Sequence, residues 1–300
     1  MNQPTPRQKK NIEQRIGVAA TVRNVSASER DDLGYMARLL VQMTLPHSDP
    51  GDVPAYGRVN GDTSLVIQPG VYLDQQGRPR GTGIPYGVYP RLVLAWITTE
   101  AVRTKSRELK LGGSLSSFMG ELGLTPTGGR WGTITRLRDQ MDRLFRSRIT
   151  INEVGEGRSH MDDISVVRRT RLWWDPKRPD EPVMFNSTIT LGEEFFDLLV
   201  ERPVPVDMHV LKHLTRSPLS IDIYMWLTYR MSYLKDETAI SWEILRQQFG
   251  ADYERTIDFT NAAKKALRTI KLAWPELKYK TPRGRLVLQP SPTHVRRLTG

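Results

Sequence analysis

No cysteine occurs in the 300 residues, so disulfides, thiolate metal sites, structural zinc of the finger type and cysteine nucleophiles are all excluded. No run of about eighteen apolar residues is present either, which argues against a helical membrane span. The opening MNQPTPRQKKNIEQR is polar and basic and lacks the apolar stretch of a secretory signal, so a cytoplasmic location is expected. No GxxxxGK followed by serine or threonine occurs, so there is no recognisable phosphate-cradling loop for ATP hydrolysis. Gly81, Gly83 and Gly87 in GTGIPYG span one residue more than a dinucleotide fingerprint and follow no convincing parallel strand, and they read as a loop before a helix. His209 and His213 stand four apart, a spacing that metal ligands use, yet no glutamate adjoins the first and no third ligand is near. His47, His160 and His294 are too scattered for a metal-assisted nuclease. No catalytic residue, metal or cofactor is expected.

What the chain has in excess is positive charge. Lys and Arg number 44 against 33 Asp and Glu, a formal charge of +11, which favours a polyanion such as DNA, RNA or an acidic membrane. With 38% hydrophobic and 26% charged residues, the length suits two modest cores. The expected division is a flexible basic arm over 1–28, a first domain over 29–201 that carries a helical extension, and a second over 202–300.

The basic residues are not scattered at random. From about Arg130 to Arg148, Ile134, Leu137, Met141 and Leu144 recur at spacings of three and four, so they form one apolar stripe of a helix, while Arg130, Arg136, Arg143 and Arg146 fall elsewhere. SLSSFMGELG upstream gives a second amphipathic helix through Leu115, Phe118, Met119 and Leu122, with Gly123 as its stop. LTPTGG is then a turn. ITINEVGEGRSHMDDISVV downstream reads as a hairpin around a Gly-Glu-Gly tip. Helix, turn, helix, hairpin is the winged-helix plan.

A looser copy follows. SWEILRQQFG supplies the first helix and Gly250 its stop; Phe259, Ala263, Ala266, Leu267, Ile270 and Trp274 supply the stripe of the next. LKYKTPRGRLVLQP reads as two strands about a Pro282-Arg283-Gly284 turn. Aligning the two glycine stops brings Leu137, Met141 and Leu144 to within one residue of Ala263, Leu267 and Ile270. Elsewhere the periodicity predicts a helix from about Glu29 to Leu45, a strand through SLVIQPGVYLD broken at Pro69-Gly70, and a long helix through Leu92, Trp96 and Val102. It also predicts short helices in EEFFDLLVE and DMHVLKHLT and a strongly apolar helix in PLSIDIYMWLTYRMSYL. Of Trp173 and Trp174, strand alternation leaves at most one for stacking on a base, and burial of the pair is the preferred reading.

A helix fits the major groove, so each stripe-bearing helix can offer its other face to base edges while its first turn and wing hold phosphates. Asn261, Lys265 and Arg268 lie about half a turn of the wheel from the second stripe and are the expected base readers, Asn for adenine and Arg or Lys for guanine. Arg255 and Thr256, with Lys280, Arg283 and Arg285 on the wing, are candidates for phosphates. On the first helix the counterparts are Arg130, Thr133, Arg136 and Arg143. The competing reading is an ordinary solvated face, with Asp139 and Asp142 pairing some of these arginines.

GIPYGVYPRLVLAWITTEAVRTKS, followed by LGGSLSSFMGELGLTPTGGRWGTITRLRDQMDRLFRSRITI, resembles the RepA-type plasmid replication initiator family, and SPLSIDIYMWLTYRM is similar to the opening of that family's C-terminal half. The likeness covers about Gly34 to Gln289. It implies an α+β fold of two tandem winged-helix domains that binds repeated origin sites, or iterons, helps open an adjacent A+T-rich duplex, and helps load the replicative helicase of the host. Implied partners are double-stranded origin DNA and host replication proteins (initiator and helicase). The family acts as monomers at iterons and as homodimers when repressing its own promoter, with no enzymatic activity expected. A transcriptional repressor built from the same domains and a metal-dependent origin nickase are the alternatives.

Overall fold

The computed structural model describes residue 27 and residues 31–155, 158–182, 187–250 and 253–295. The expected basic arm over 1–28 lies almost wholly outside the described residues, as does the tip of the first hairpin at 156–157. The fold is mixed α+β, with nine helices and several small sheets among the described residues. Contacts divide it into two compact units, one of residues 35–204 and one of 205–300 with the described part of 1–34.

Among the described residues the first elements are β1 (Leu33–Ala37) and a single turn of helix, α1 (Arg38–Gln42). The helix expected over 29–45 is therefore corrected. Leu33, Met36, Leu40 and Met43 do carry helical spacing, but the N–H of Tyr35 donates to Thr99 Oγ1 at 2.9 Å, and such long-range partners override local periodicity. Strands β2 (Tyr56–Asn60), β3 (Thr63–Gln68), β4 (Val71–Leu73) and β5 (Pro79–Gly81) follow, with Pro69-Gly70 breaking β3 from β4.

Helix α2 (Val88–Thr104) is buried on nearly every side from Pro90 to Thr99. Its Arg91, 3% exposed, donates to the carbonyls of Leu45, Pro46 and Gly87, which satisfies a buried guanidinium with backbone acceptors. After β6 (Glu108–Lys110) come α3 (Leu115–Glu121) and α4 (Thr133–Arg146). Ser114 caps α3 by accepting from the N–H of Ser117, and Gly123 beyond it takes a left-handed φ of 71°. In α4 the stripe Ile134, Leu137, Met141 and Leu144 is buried, joined by Phe145 and Gln140.

Strands β7 (Arg148–Gly155) and β8 (Arg158–Ser165) pair as an antiparallel hairpin. It is not a free ribbon, because β3 pairs with the other side of β7 and the sheet runs β2-β3-β7-β8. Leu65 sits opposite Ile151, Ile67 opposite Ile149, and Ile149 opposite Ile164, so one face of this sheet is apolar and buried. One residue beyond β8, the chain continues as β9 (Val167–Arg171), which pairs with β10 (Thr188–Leu191), itself paired with β6. Helix α5 (Glu193–Glu201) packs on α2 and closes this unit.

After β11 (Pro203–Asp207) and α6 (Met208–His213), the second core forms around α7 (Pro218–Met231), capped by Ser217 and buried from Leu219 to Thr228. Next come β12 (Thr238–Ser241), α8 (Trp242–Phe249), α9 (Thr256–Ala273), β13 (Lys278–Lys280) and β14 (Arg285–Gln289), with sheet order β12-β14-β13. Phe259, Ala263, Ala266, Leu267 and Ile270 of α9 are at most 2% exposed, as is Trp274 just after it. Gly250 ends α8 for a different reason from Gly123. Its φ is −110°, but a Cβ there would lie 2.8 Å from the Phe259 ring, so it is room for the next helix that requires glycine.

Helix–strand–helix–helix–strand–strand thus occurs twice, as α2–β6–α3–α4–β7–β8 and as α7–β12–α8–α9–β13–β14. The copies differ in pairing. In the second, β12 joins β14 directly; in the first, β10 stands between β6 and β9, the run-on of β8.

Candidate nucleic-acid interface

On α9, Asn261, Lys265 and Arg268 are all exposed and lie together opposite the buried stripe. None of the three has an acidic partner within 4 Å among the described residues. Lys265 also lines a groove of about 480 Å³ with Ala262, Thr269 and Leu272 of α9 on one side and His213 and Arg216 on the other. Arg268 reaches far enough toward the sheet to act on Tyr279 of β13, whose phenol burial pushes up and the nearby guanidinium pulls back. On the hairpin of β13 and β14, Arg283 and Arg285 are exposed and carry no acidic partner among the described residues, whereas Lys280 lies 3.8 Å from Glu237.

The first turn of α9 is tied down. Arg255 makes two hydrogen bonds to Asp258, 2.7 and 2.8 Å long, and these hold the Asp258 carboxyl below its ordinary range. Thr256 Oγ1 donates to Glu243 at 2.5 Å. Glu243 also accepts from Arg246 at 2.8 Å, and the two donors lower its pKa, Arg246 more than Thr256.

The expected residues of the first helix divide into two groups. Arg136 is exposed on α4 with no acidic partner among the described residues, and Arg130 is exposed in the loop ahead of the helix, which begins only at Thr133. Arg143 and Thr133 are turned to structural work. The Arg143 side chain is 17% exposed and ion-paired to Asp139 at 3.0 Å and Asp49 at 3.4 Å; it also donates to the Ile84 carbonyl and lies over the Tyr86 ring. Thr133 Oγ1 donates to the Thr125 carbonyl at 2.6 Å and accepts from the N–H of Thr127 at 2.9 Å. Arg146 pairs with Asp142 at 2.6 Å. The outer face of α4 thus carries two carboxylates that offset its arginines, and the face of α9 from Asn261 to Arg268 carries none.

Three arginines that the helical reading passed over stand out in the structure. Arg168, Arg169 and Arg171 lie on β9, an edge strand of its sheet, and all three are exposed without an acidic partner among the described residues. A groove of about 800 Å³ runs between this strand and the outer face of α4, lined by Arg138, Arg146, Arg148, Arg168 and Arg169. The run VVRRTR carried the signal; an edge strand of alternating faces cannot be told from a central one by composition. Of the tryptophan pair, Trp174 stacks on Phe118 at 5.3 Å and Trp173 is 55% exposed. His209 and His213 have ring centroids 4.5 Å apart, and no group of three or more potential metal ligands is found among the described residues. No helix among them is long and apolar enough to cross a membrane.

Fold and charge together define a two-unit α+β protein whose helix faces and one strand edge offer cations without an acidic partner among the described residues. Residues 84–244, from just ahead of α2 into α8, match the family model described as plasmid encoded RepA protein. The chain belongs to this family, the RepA-type plasmid replication initiators. No curated protein matches it.

Proposed function

We propose that the chain initiates plasmid replication by binding repeated duplex sites at its origin through two winged-helix units, one in each half. The doubled element order supports this, because helix, strand, two helices and a hairpin form the framework that places a second helix in the major groove. The observation that carries the reading is the face of α9, where Asn261, Lys265 and Arg268 stand together free of carboxylates beside a hairpin with Arg283 and Arg285 at its turn. Asn and Arg read adenine and guanine edges in bidentate fashion, and the turn arginines hold phosphates.

In this reading α9 is the principal base reader. Arg136 and Arg130 contribute from the first unit, with Arg168 and Arg169 holding a phosphate strand along the groove beside α4. Arg143 and Thr133 support the site by position. Arg255, Thr256 and Lys280 reach phosphate by exchanging an internal acidic partner for it. Opening of an A+T-rich segment, recruitment of the host initiator and helicase, repression of the chain's own promoter, and a cytoplasmic location are further parts of the proposal.

The test is footprinting of purified protein on the plasmid segment that adjoins its coding region. Several regularly spaced protected sites are expected, with affinity falling steeply as salt rises; one isolated palindrome would favour a repressor instead. Lys265→Glu or Arg268→Glu should weaken site binding by about ten-fold or more, while Lys177→Glu leaves it unchanged. Equal effects from all three would refute the placement of the reading face.

A further inference from the structure

We propose that Trp131, with Arg130 laid over it, is a platform on which one unstacked nucleobase stacks, a proposal that rests on the reading of this chain as DNA-binding. Trp131 is 74% exposed, more than any other large apolar side chain among the described residues. The Arg130 guanidinium lies 5.1 Å from its ring centroid.

The loop that carries the pair is held rigid. Thr127 and Thr133 bond each other through backbone and side chain, Thr133 donates to the Thr125 carbonyl, and Thr135 Oγ1 donates to the Gly129 carbonyl at 2.9 Å. Gly132 is packed so closely that a Cβ would lie 2.2 Å from the Thr127 carbonyl oxygen. An indole presented from such a loop loses little conformational freedom when it is covered.

Comparison of the two halves isolates the feature. The connection from α3 to α4 covers 122–132, whereas its counterpart from α8 to α9 covers only 250–255. The first unit therefore carries extra loop, and that loop holds Trp131. Charge chooses the occupant. From Leu122 to Arg138 there is no acidic residue, while Arg130, Arg136 and Arg138 are all basic. An aromatic face flanked by cations matches a base with its phosphates and is a poor match for an apolar protein surface.

An unstacked base has two sources, a single strand and a kinked step of a duplex. Both are tested with the full chain and its Trp131→Ala and Trp131→Phe variants, using a single-stranded oligonucleotide and a protected-site duplex that each contain 2-aminopurine. Expected results are a loss of about ten-fold or more in single-strand affinity for Trp131→Ala, near wild-type behaviour for Trp131→Phe, and fluorescence quenching by wild type that the alanine variant lacks. Quenching on the oligonucleotide assigns the base to a single strand; quenching on the duplex assigns it to a kinked step. Unchanged affinity and quenching in Trp131→Ala, with site binding intact, would overturn the platform alone, as would loss of binding only to a host replication protein. Failure of the wild-type chain to bind either DNA would overturn the parent reading too. Unaltered far-ultraviolet circular dichroism of the variant establishes that the fold is kept.

Discussion

Arginine 136 and arginine 143 stand on one helix, two turns apart, and do opposite things. The difference lies in their neighbours, since Arg143 meets Asp49 from a loop 94 residues earlier, and no pattern within the helix foretells that meeting. Arg255 is an intermediate case, exposed yet held by Asp258. Replacing Asp258 with Asn frees that guanidinium, so duplex binding should tighten several-fold at low salt and the slope of log K against log salt should steepen by about one. The same pair gives a pH signature. Asp258 has a depressed carboxyl pKa, so the pair stabilises the fold above the usual aspartate range and that contribution fades as pH falls through the lowered value. Carboxyl carbon NMR should place the Asp258 midpoint below that of free aspartate, and binding of duplex should move it back up as Arg255 turns to phosphate. Arg268→Ala should raise the Tyr279 phenol pKa further, because the guanidinium opposes the upward push of burial.

At the level of elements, the helices were the legible part. The stripes of α4 and α9 were marked by spacing alone, and every stripe residue is buried. At β1 the spacing from Leu33 to Met43 satisfies a period near 3.6 and predicts helix, because the partner of the Tyr35 N–H lies far away in sequence. The loop before α4 was legible as a turn but not as a rigid one, since its order depends on pairing between Thr127 and Thr133. Gly132→Ala should therefore cost about 1–3 kcal/mol of stability, measured by denaturant unfolding, and should lower DNA affinity more than its distance from the α4 face suggests. Leu65→Ala, in the strand that backs the first hairpin, should cost about 2–5 kcal/mol; a smaller loss would mean that β3 contributes little to that hairpin.

For the whole molecule, the repeated pair of helices and hairpin could be read from the sequence, whereas strands β6 and β12 ahead of them and the strand pairing could not. Composition does not reveal that β10 comes between β6 and the run-on of β8, because pairing over such separations leaves no local mark. The duplication makes a prediction that neither half makes alone. Joined contacts act at high effective concentration, so Arg136→Glu and Arg268→Glu should each leave measurable site binding, and the double variant should fall to the level seen on unrelated DNA. If Arg136→Glu changes nothing on its own or in combination, the first unit does not read the site.

One covalent detail ties the halves of the first unit together. β8 and β9 are separated only by Val166, so a single extended run belongs to the four-stranded sheet at one end and to the three-stranded sheet at the other. A double helix seated along this run would brace both sheets together. Amide exchange in β3 and in β10 should then slow in concert when DNA is added, although neither strand belongs to the proposed contact surface.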